Sequence, residues 1–505
     1  MVRSLTCRLL AAATIAACLA PAGAATYTVS TVGDLNYRIS HAAPNDEIVV
    51  TPGTYNLTQY LQLNAAGMTV RGSTGVRDDV VLVGGGMNTN AGVKEGLLVN
   101  TDGITISDLT LRDFYHNGIH IRGENDADDC TISNVKTWDI GQRHIKGSGG
   151  GGASAVSDDV VIEDVYMLQT TPRADGNHHG NYIGGIDCMG VRNWVIRDCV
   201  ARGIRGHTDG GNAAIFLWQG VEGVTIERNR IYECVKGIGL GNPADPNGVI
   251  FTYPHHATDV VVRNNFVLRG EWTGGNNIGL ELCNVEDVDV LNNTFYSEDA
   301  GYFRTVSLLD NNGGGANTDV EVVNNIVRGR VWENGGHPES LQQAFRDMGN
   351  VVDTAGATVA EAWFDDWASG DFHLTELADG ALNGGTVLAG APEDFDRCGR
   401  GNCPDLGADE LQYPGDVNLD CVVDVLDLAC LANHFGETDA GWLHGDQNGD
   451  GAVDVLDLAA IANGFGWAAG GARAGGDAVP APGALALLAA GLPAIVGRRR
   501  KSPRR

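Results

Sequence analysis

The sequence predicts an all-β solenoid followed by a small α-helical, cation-binding module. Three observations carry that expectation. A five-residue pattern of apolar, any, apolar, any, then Asp or Asn recurs from about residue 100, its starts 26 to 36 residues apart. No amphipathic helix of about 10 to 15 residues separates the copies. Towards the C-terminus, two Asp-rich loops thirty residues apart each run into a short apolar-faced helix.

The chain opens with Arg3 and Arg8, the apolar run Leu9 to Ala20 and the small residues Ala22-Gly23-Ala24. Residues 1–24 therefore read as an export signal peptide, whose apolar run is too short to span a bilayer. Ile15-Ala16-Ala17-Cys18 also reads as a lipobox. The apolar stretch before Cys18 is very short, which favours cleavage near Ala24 or Ala25. A short helix is expected from Asp34 to Ala42, because the end of a solenoid must hide its apolar core and strand edges.

The repeat then begins. Its copies include Ile104-Thr105-Ile106-Ser107-Asp108, Cys130-Thr131-Ile132-Ser133-Asn134, Val160-Val161-Ile162-Glu163-Asp164 and Trp194-Val195-Ile196-Arg197-Asp198. Others start at Val224, Val260, Val288 and Val320, with Asn264, Asn292 and Asn324 at the fifth place. Between them lies a second motif with apolar pairs at Ile119 and Ile121, Ile186 and Cys188, Ile215 and Leu217, Ile238 and Leu240, Ile278 and Leu280. Period-two alternation gives short strands with one buried face, and the long period gives coils that bury that face only by stacking on their neighbours. Asn229, Asn265, Asn293 and Asn325 fall at one place in successive coils. Asn tolerates left-handed backbone and its amide bonds a stacked copy of itself, so an internal Asn ladder is expected there.

Ala43-Pro44-Asn45-Asp46-Glu47-Ile48-Val49-Val50, Pro52-Gly53-Thr54-Tyr55 and Met68-Thr69-Val70-Arg71-Gly72 lead into the repeat. Asp371-Phe372-His373-Leu374 through Asp405-Leu406-Gly407-Ala408-Asp409-Glu410 leads out of it. With these ends, residues 26–412 resemble the right-handed parallel β-helix proteins of the pectate-lyase-like superfamily. The resemblance is specific for the fold, a right-handed parallel β-helix, and weak for the reaction.

In the C-terminal module, Asp416, Asn418, Asp420, Asp424 and Asp427 stand at positions 1, 3, 5, 9 and 12 of one loop. Asp446, Asn448, Asp450, Asp454 and Asp457 repeat them in the second. Hard Ca²⁺ needs oxygen ligands at this spacing, with a backbone carbonyl at the seventh place, here Val422 and Ala452. Gly451 takes the sharp sixth position; Cys421 occupies it in the first loop. Residues 415–467 hold ten acidic residues and no Lys or Arg, so they repel one another without cations. This duplicated loop-helix resembles a type I dockerin, including Asp at the twelfth place. The resemblance implies two Ca²⁺ ions and a cohesin-type protein partner met through Val425-Leu426 and Val455-Leu456. A module merely folded by Ca²⁺ is the alternative.

Residues 468–478 read as a linker. Val479-Pro480-Ala481-Pro482, an apolar stretch from Ala484 to Val496 and Arg498-Arg499-Arg500-Lys501 then resemble a PEP-CTERM sorting signal over 479–505. That implies a sorting enzyme as partner, although Ala481 replaces the family's Glu and Pro493 interrupts the helix. Both ends place the mature protein outside the cytoplasm, secreted or on the cell surface, where disulfides are permitted.

A formal net charge of -30, from 64 acidic against 34 basic residues, argues against nucleic acid as a partner. Yet basic residues gather in the loops that leave the stack: Arg143, His144 and Lys146, then Arg173, His178 and His179, then Arg205 and His207, then His255 and His256. Trp218 and Trp272 lie nearby. Such a patch on an acidic chain suits an anionic polysaccharide. In the lyases of the resembled superfamily, Arg, Lys or Ca²⁺ neutralises a uronate carboxylate, and a base removes the acidified C5 hydrogen. On that reading Lys146 is the base and Arg143 or Arg205 holds the carboxylate. His144, His178 or His207 is the alternative base or the acid. Arg173, His179, Trp218, His255, His256 and Trp272 bind the chain, and a third Ca²⁺ in the cleft is a further expectation. Gly147 to Gly152 read as a flexible insertion.

Two other functions stay open. A glycoside hydrolase needs a carboxylate pair, for which Asp164, Asp187 and Asp209 are available, and an epimerase shares the fold. A non-catalytic carbohydrate-binding or structural β-helix is the other, since the fold does not fix the function. Of the nine cysteines left after export, Cys398 with Cys403 and Cys421 with Cys430 are candidate pairs. Cys130, Cys188, Cys199, Cys234 and Cys283 fall at strand places and read as small buried thiols.

Overall fold

The computed structural model describes residues 24–149, 156–174, 180–244, 253–269, 278–298, 304–310, 315–334, 339–438, 440–448 and 450–468. The export signal through residue 23, nearly all of the linker and the sorting tail lie outside these residues. So do His178, His179 and Trp272.

Apolar residues of the repeat stack directly on their counterparts one coil away, as in the register Val224, Val260, Val288 and Val320. Three parallel ladders result. The first runs from Thr26–Val29 to Thr318–Val323, and the second from Gly53–Asn56 to Val351–Asp353. The third is a separate ten-stranded sheet from Leu61–Leu63 to Val331–Glu333. Together they form a right-handed parallel β-helix, the hand that parallel crossovers take almost without exception. Ile106, Ile132, Ile162, Ile196, Ile226, Val262 and Val290 belong to one buried core that runs through the stack.

The fifth residue of the pattern makes the bend from the first ladder to the second. Asp108, Asn134, Asp164, Asp198, Asn264, Asn292 and Asn324 all have φ between 49° and 59°, a region that Asp and Asn enter at least cost. Asp164 is thus a turn residue rather than a candidate acid. The next residue forms the Asn ladder: Asn229 donates to Asn265 (2.9 Å), Asn265 to Asn293 (2.9 Å), Asn293 to Asn325 (3.0 Å). A further rung, Asn325 to Asn350 (2.8 Å), escapes the sequence pattern because a helix replaces the strand before it.

Both ends of the stack are covered. Helix α1 (Val32–Ser40), capped by the Thr31 hydroxyl, buries Leu35 and Ile39 over the first coil. Helix α2 (Glu339–Asp347) puts Phe345 into the other end of the same core. The exit segment then folds back over the second ladder, where Trp363, Phe364, Phe372 and Leu406 join Phe266, Leu268, Tyr296 and Ile326 in a second cluster. That cover lies on the second ladder, away from the outer side of the third sheet.

Two expectations about the third sheet need correction. In the coil after Lys236–Leu240, the residues in register with Ile238 and Leu240 are Leu280 and Leu282, not Ile278 and Leu280. Gly147 is a strand residue within Arg143–Ser148 rather than part of a flexible insertion. A Cβ there would come within 2.7 Å of Cys188 Sγ and 3.0 Å of Trp194, so glycine leaves room for the buried indole.

The expected disulfides also differ. Cys403 pairs with Cys421, while Cys398 and Cys430 are free thiols. The exit turn runs against the first Asp-rich loop, where Asn402 N–H donates to Leu419 O (3.2 Å), and this brings residue 403 to residue 421. Cys398 is instead drawn into its own turn by Asp394, which accepts its N–H. The five strand cysteines are buried; burial pushes Cys130, Cys199, Cys234 and Cys283 up to about 12, as small core thiols require. Among the described residues, no helix is long and apolar enough to cross a membrane.

Candidate functional site

The outer side of the third sheet carries one continuous row, because alternate strand residues share a face. Its members, in register coil by coil, are Leu98, His120, Lys146, Asp187, Phe216, Gly239, Glu281, Ser307 and Trp332. Lys146 therefore sits between His120 and Asp187. It is half-buried, and no hydrogen bond or ion pair holds its amine among the described residues.

A polar relay adjoins it. His120 Nε2 lies 2.8 Å from Ser148 Oγ, which donates to Glu124 (2.6 Å), and Glu124 accepts from Arg122 Nε (2.8 Å). Burial, then the charge of Lys146, brings His120 down to about 4, so it is neutral at pH 7. Burial works to raise Glu124, but the bonds from Ser148 and Arg122 outweigh it and the carboxyl is lowered overall. None of His120, Arg122, Glu124 or Ser148 was singled out from sequence. Their signal was the outward place of the second motif, read there only for its inward apolar pairs.

Asp187 is fully committed. It accepts from Arg143 Nε, Asn212 Nδ2 (3.1 Å) and Trp218 Nε1 (3.3 Å). Arg143 in turn is buried beneath Tyr182, whose ring centroid is 3.9 Å from the guanidinium. Removing one partner of such a buried pair strands the other's charge, which makes the pair a structural anchor. Trp218 is half-buried and stacks on Phe216, centroids 5.5 Å apart.

The other expected residues divide in two. His144, Arg173 and His256 are fully buried. His144 contacts Thr137 (2.8 Å) and Gln169 (3.2 Å), and burial brings it down to about 4. Arg173 donates to Gly141 O and lies over the Tyr115 ring. His256 accepts the Gln219 N–H (3.2 Å). These three are core positions. Arg205, paired with Asp209 (2.7 Å), and the exposed His207 belong to a loop braced on Asn181, next to Tyr182, and so flank the row. His255 lies at the rim, 3.6 Å from Glu286.

Among the described residues, groups of three or more metal-ligating side chains occur at His373, Asp396 and Asp409, and at His434, Glu437 and His444.

In the module, the two loops are close copies. Asp427 accepts the N–H groups of Val417 and Asn418 and caps helix α3 (Val425–His434) through Asp424; Asp457 does the same with Gln447, Asn448 and Asp454 for helix α4 (Val455–Gly464). Cys421 (φ 71°) and Gly451 (φ 82°) make the same left-handed turn. Burial and the neighbouring Asp427 and Asp420 charges push Asp416 up to about 6. Convergent carboxylates of this kind fit a calcium ion. Val425, Leu426, Val455 and Leu456 are all more than half exposed.

Residues 414–466 match the dockerin type I domain family. The molecule is thus a parallel β-helix protein carrying a dockerin-type module. No curated protein matches the chain. Among solved structures, pectate lyase Pel9A is similar with a TM-score of 0.47 and 16% identity, over 77% of this chain and 98% of its own. XylC in complex with xylose gives 0.44 and 10%, over 77% and 98%. An alginate lyase from Paenibacillus sp. str. FPU-7 gives 0.34 and 14%, over 62% and 98%.

Proposed function

We propose that the outer face of the third sheet cleaves an anionic, uronate-containing polysaccharide by β-elimination. The observation that carries this reading is Lys146, in the middle of the row, whose amine has no carboxylate partner among the described residues. Lys146 Nζ, after losing its proton to solvent, takes the C5 proton; the C4–C5 double bond forms as the C4–O bond breaks, and the leaving glycosidic oxygen takes a proton from solvent. Arg143 is buried with Asp187, so the uronate carboxylate falls to the more accessible Arg122 or Arg205, in competition with their partners Glu124 and Asp209. His120, neutral beside Lys146, adds no second charge there and orients through Ser148. Trp218, half-buried and backed by Phe216, offers an apolar platform to a sugar face. That platform also favours a second reading, non-catalytic glycan binding, in which the row only holds the chain.

The test follows ultraviolet absorbance of unsaturated ends with alginate, pectate and glycosaminoglycans. Lys146→Ala is expected to lose activity about 100-fold or more while still binding. Binding without absorbance on any uronate would sink the lyase reading and leave the second one. Reducing ends released without absorbance would point to hydrolysis instead. In the same proposal the module holds two Ca²⁺, through Asp416, Asn418, Asp420, Val422, Asp424 and Asp427 and their six counterparts. It offers its exposed apolar pairs to a cohesin-type protein. A disulfide and the two terminal signals support export.

A further inference from the structure

We propose that His434, Glu437 and His444 form a transition-metal site of the kind that takes Zn²⁺, separate from both calcium loops. The inference concerns the module alone and does not depend on the lyase reading. His434 ends helix α3, Glu437 follows one turn later, and His444 closes the short 3-10 turn Trp442–His444. The chain doubles back so that the two imidazoles stack, centroids 4.5 Å apart and 14° from parallel. Both Nδ1 atoms face one carboxylate oxygen: Glu437 Oε2 lies 3.1 Å from His434 and 3.8 Å from His444.

Those spacings match a metal polyhedron. A tetrahedral Zn²⁺ with bonds of about 2.0–2.2 Å has ligand-to-ligand edges of about 3.4 Å. Two imidazole nitrogens with one carboxylate oxygen suit Zn²⁺, whereas Ca²⁺ seeks six to eight oxygens. The three side chains are 33%, 47% and 50% exposed, so a hydrated ion has access and a fourth position stays open to water.

The duplication of the module supplies an independent control. Gly436 N–H bonds Val453 O in one half, as Gly466 N–H bonds Val423 O in the other. At the places equivalent to His434 and Glu437 stand Gly464 and Trp467. Trp467 stacks on Tyr413, 3.8 Å between centroids, and offers no ligand. The repeat therefore folds without this cluster, and nothing in its architecture requires three ligating groups at one place. Val453 N–H also bonds Glu437 O, which sets the cluster beside the start of α4 and its exposed Val455 and Leu456.

The full chain, saturated with Ca²⁺, would be titrated with Co²⁺, whose visible absorption reports four-coordination, and then with competing Zn²⁺. Expected are one equivalent bound with a Kd on the order of micromolar, displacement by Zn²⁺, and at least tenfold weaker binding in both His434→Ala and Glu437→Gln. The second variant keeps the shape of the side chain, and circular dichroism checks the fold of each. Unchanged Co²⁺ affinity in both variants would put the ion elsewhere. Failure to bind at all, or binding seen only after Ca²⁺ is removed, would equally overturn the site.

Discussion

A single buried imidazole shows how sequence and structure part company. His144 stands next to Lys146 but one in sequence, and in a strand that offset keeps both on one side of the sheet. The sequence places it among the basic residues of the loops, yet its imidazole turns inward against Thr137, in register with the core residues Leu111 and Met167, and against Gln169. Pattern gives the alternation along a strand; it does not give where a residue at the strand's first turn points. His144 titrates near 6.5 when unfolded and about 4 when folded. Its stabilisation is therefore complete above pH 6.5 and is lost as pH falls towards 4. Against the non-titrating His144→Gln variant, the native protein should lose up to about 3 kcal/mol of relative stability as pH falls from 7.5 to 4. Denaturant melts of both proteins across that range check it. The comparison must be pairwise, because burial pushes Asp394 up to about 7 and Glu410 up to about 8, and those groups favour folding as pH falls.

At the scale of the element, the repeat was largely legible. The five-residue pattern encodes both a strand and the left-handed residue that ends it, so the first ladder and its bend could be read directly. The third sheet was less legible, since glycine at residue 147 and the shifted pair Leu280 and Leu282 break its motif. Its outward row, and with it His120 and Ser148, was hidden because the motif was read only for its inward apolar pairs. The Asn ladder makes a sharp prediction. Asn293 accepts from Asn265 N and Nδ2, and donates to Val262 O, Leu291 O and Asn325 Oδ1. Asn293→Ala leaves buried donors and acceptors of two coils without partners, at about 1–3 kcal/mol for each group stranded. Equilibrium unfolding should show a loss of at least about 3 kcal/mol. A loss below about 1 kcal/mol would mean that the ladder is ornamental.

For the whole molecule, the two units and their order were plain in the sequence, because the periods of the solenoid and of the calcium loops differ in kind. The bond between the units was not, since four cysteines in a short span allow three pairings. Cys421→Gly restores the residue that the second loop uses at this left-handed place, a local gain of about 1 kcal/mol. It also opens a disulfide that closes a loop of sequence separation 18, worth about 3 kcal/mol. Thermal unfolding of the variant should show a net loss of about 2 kcal/mol, and an equal or greater stability would mean that the pair is strained. With this disulfide in place, the path from the solenoid to the module contains no leash. A tethered module on a flexible chain samples many bearings and engages a second site at an effective concentration set by the length of its linker. Here that averaging is absent, so a scaffold that grips the module would inherit a fixed bearing for the whole solenoid. Reducing agents would then act on the quaternary geometry of an assembly before they act on its affinity.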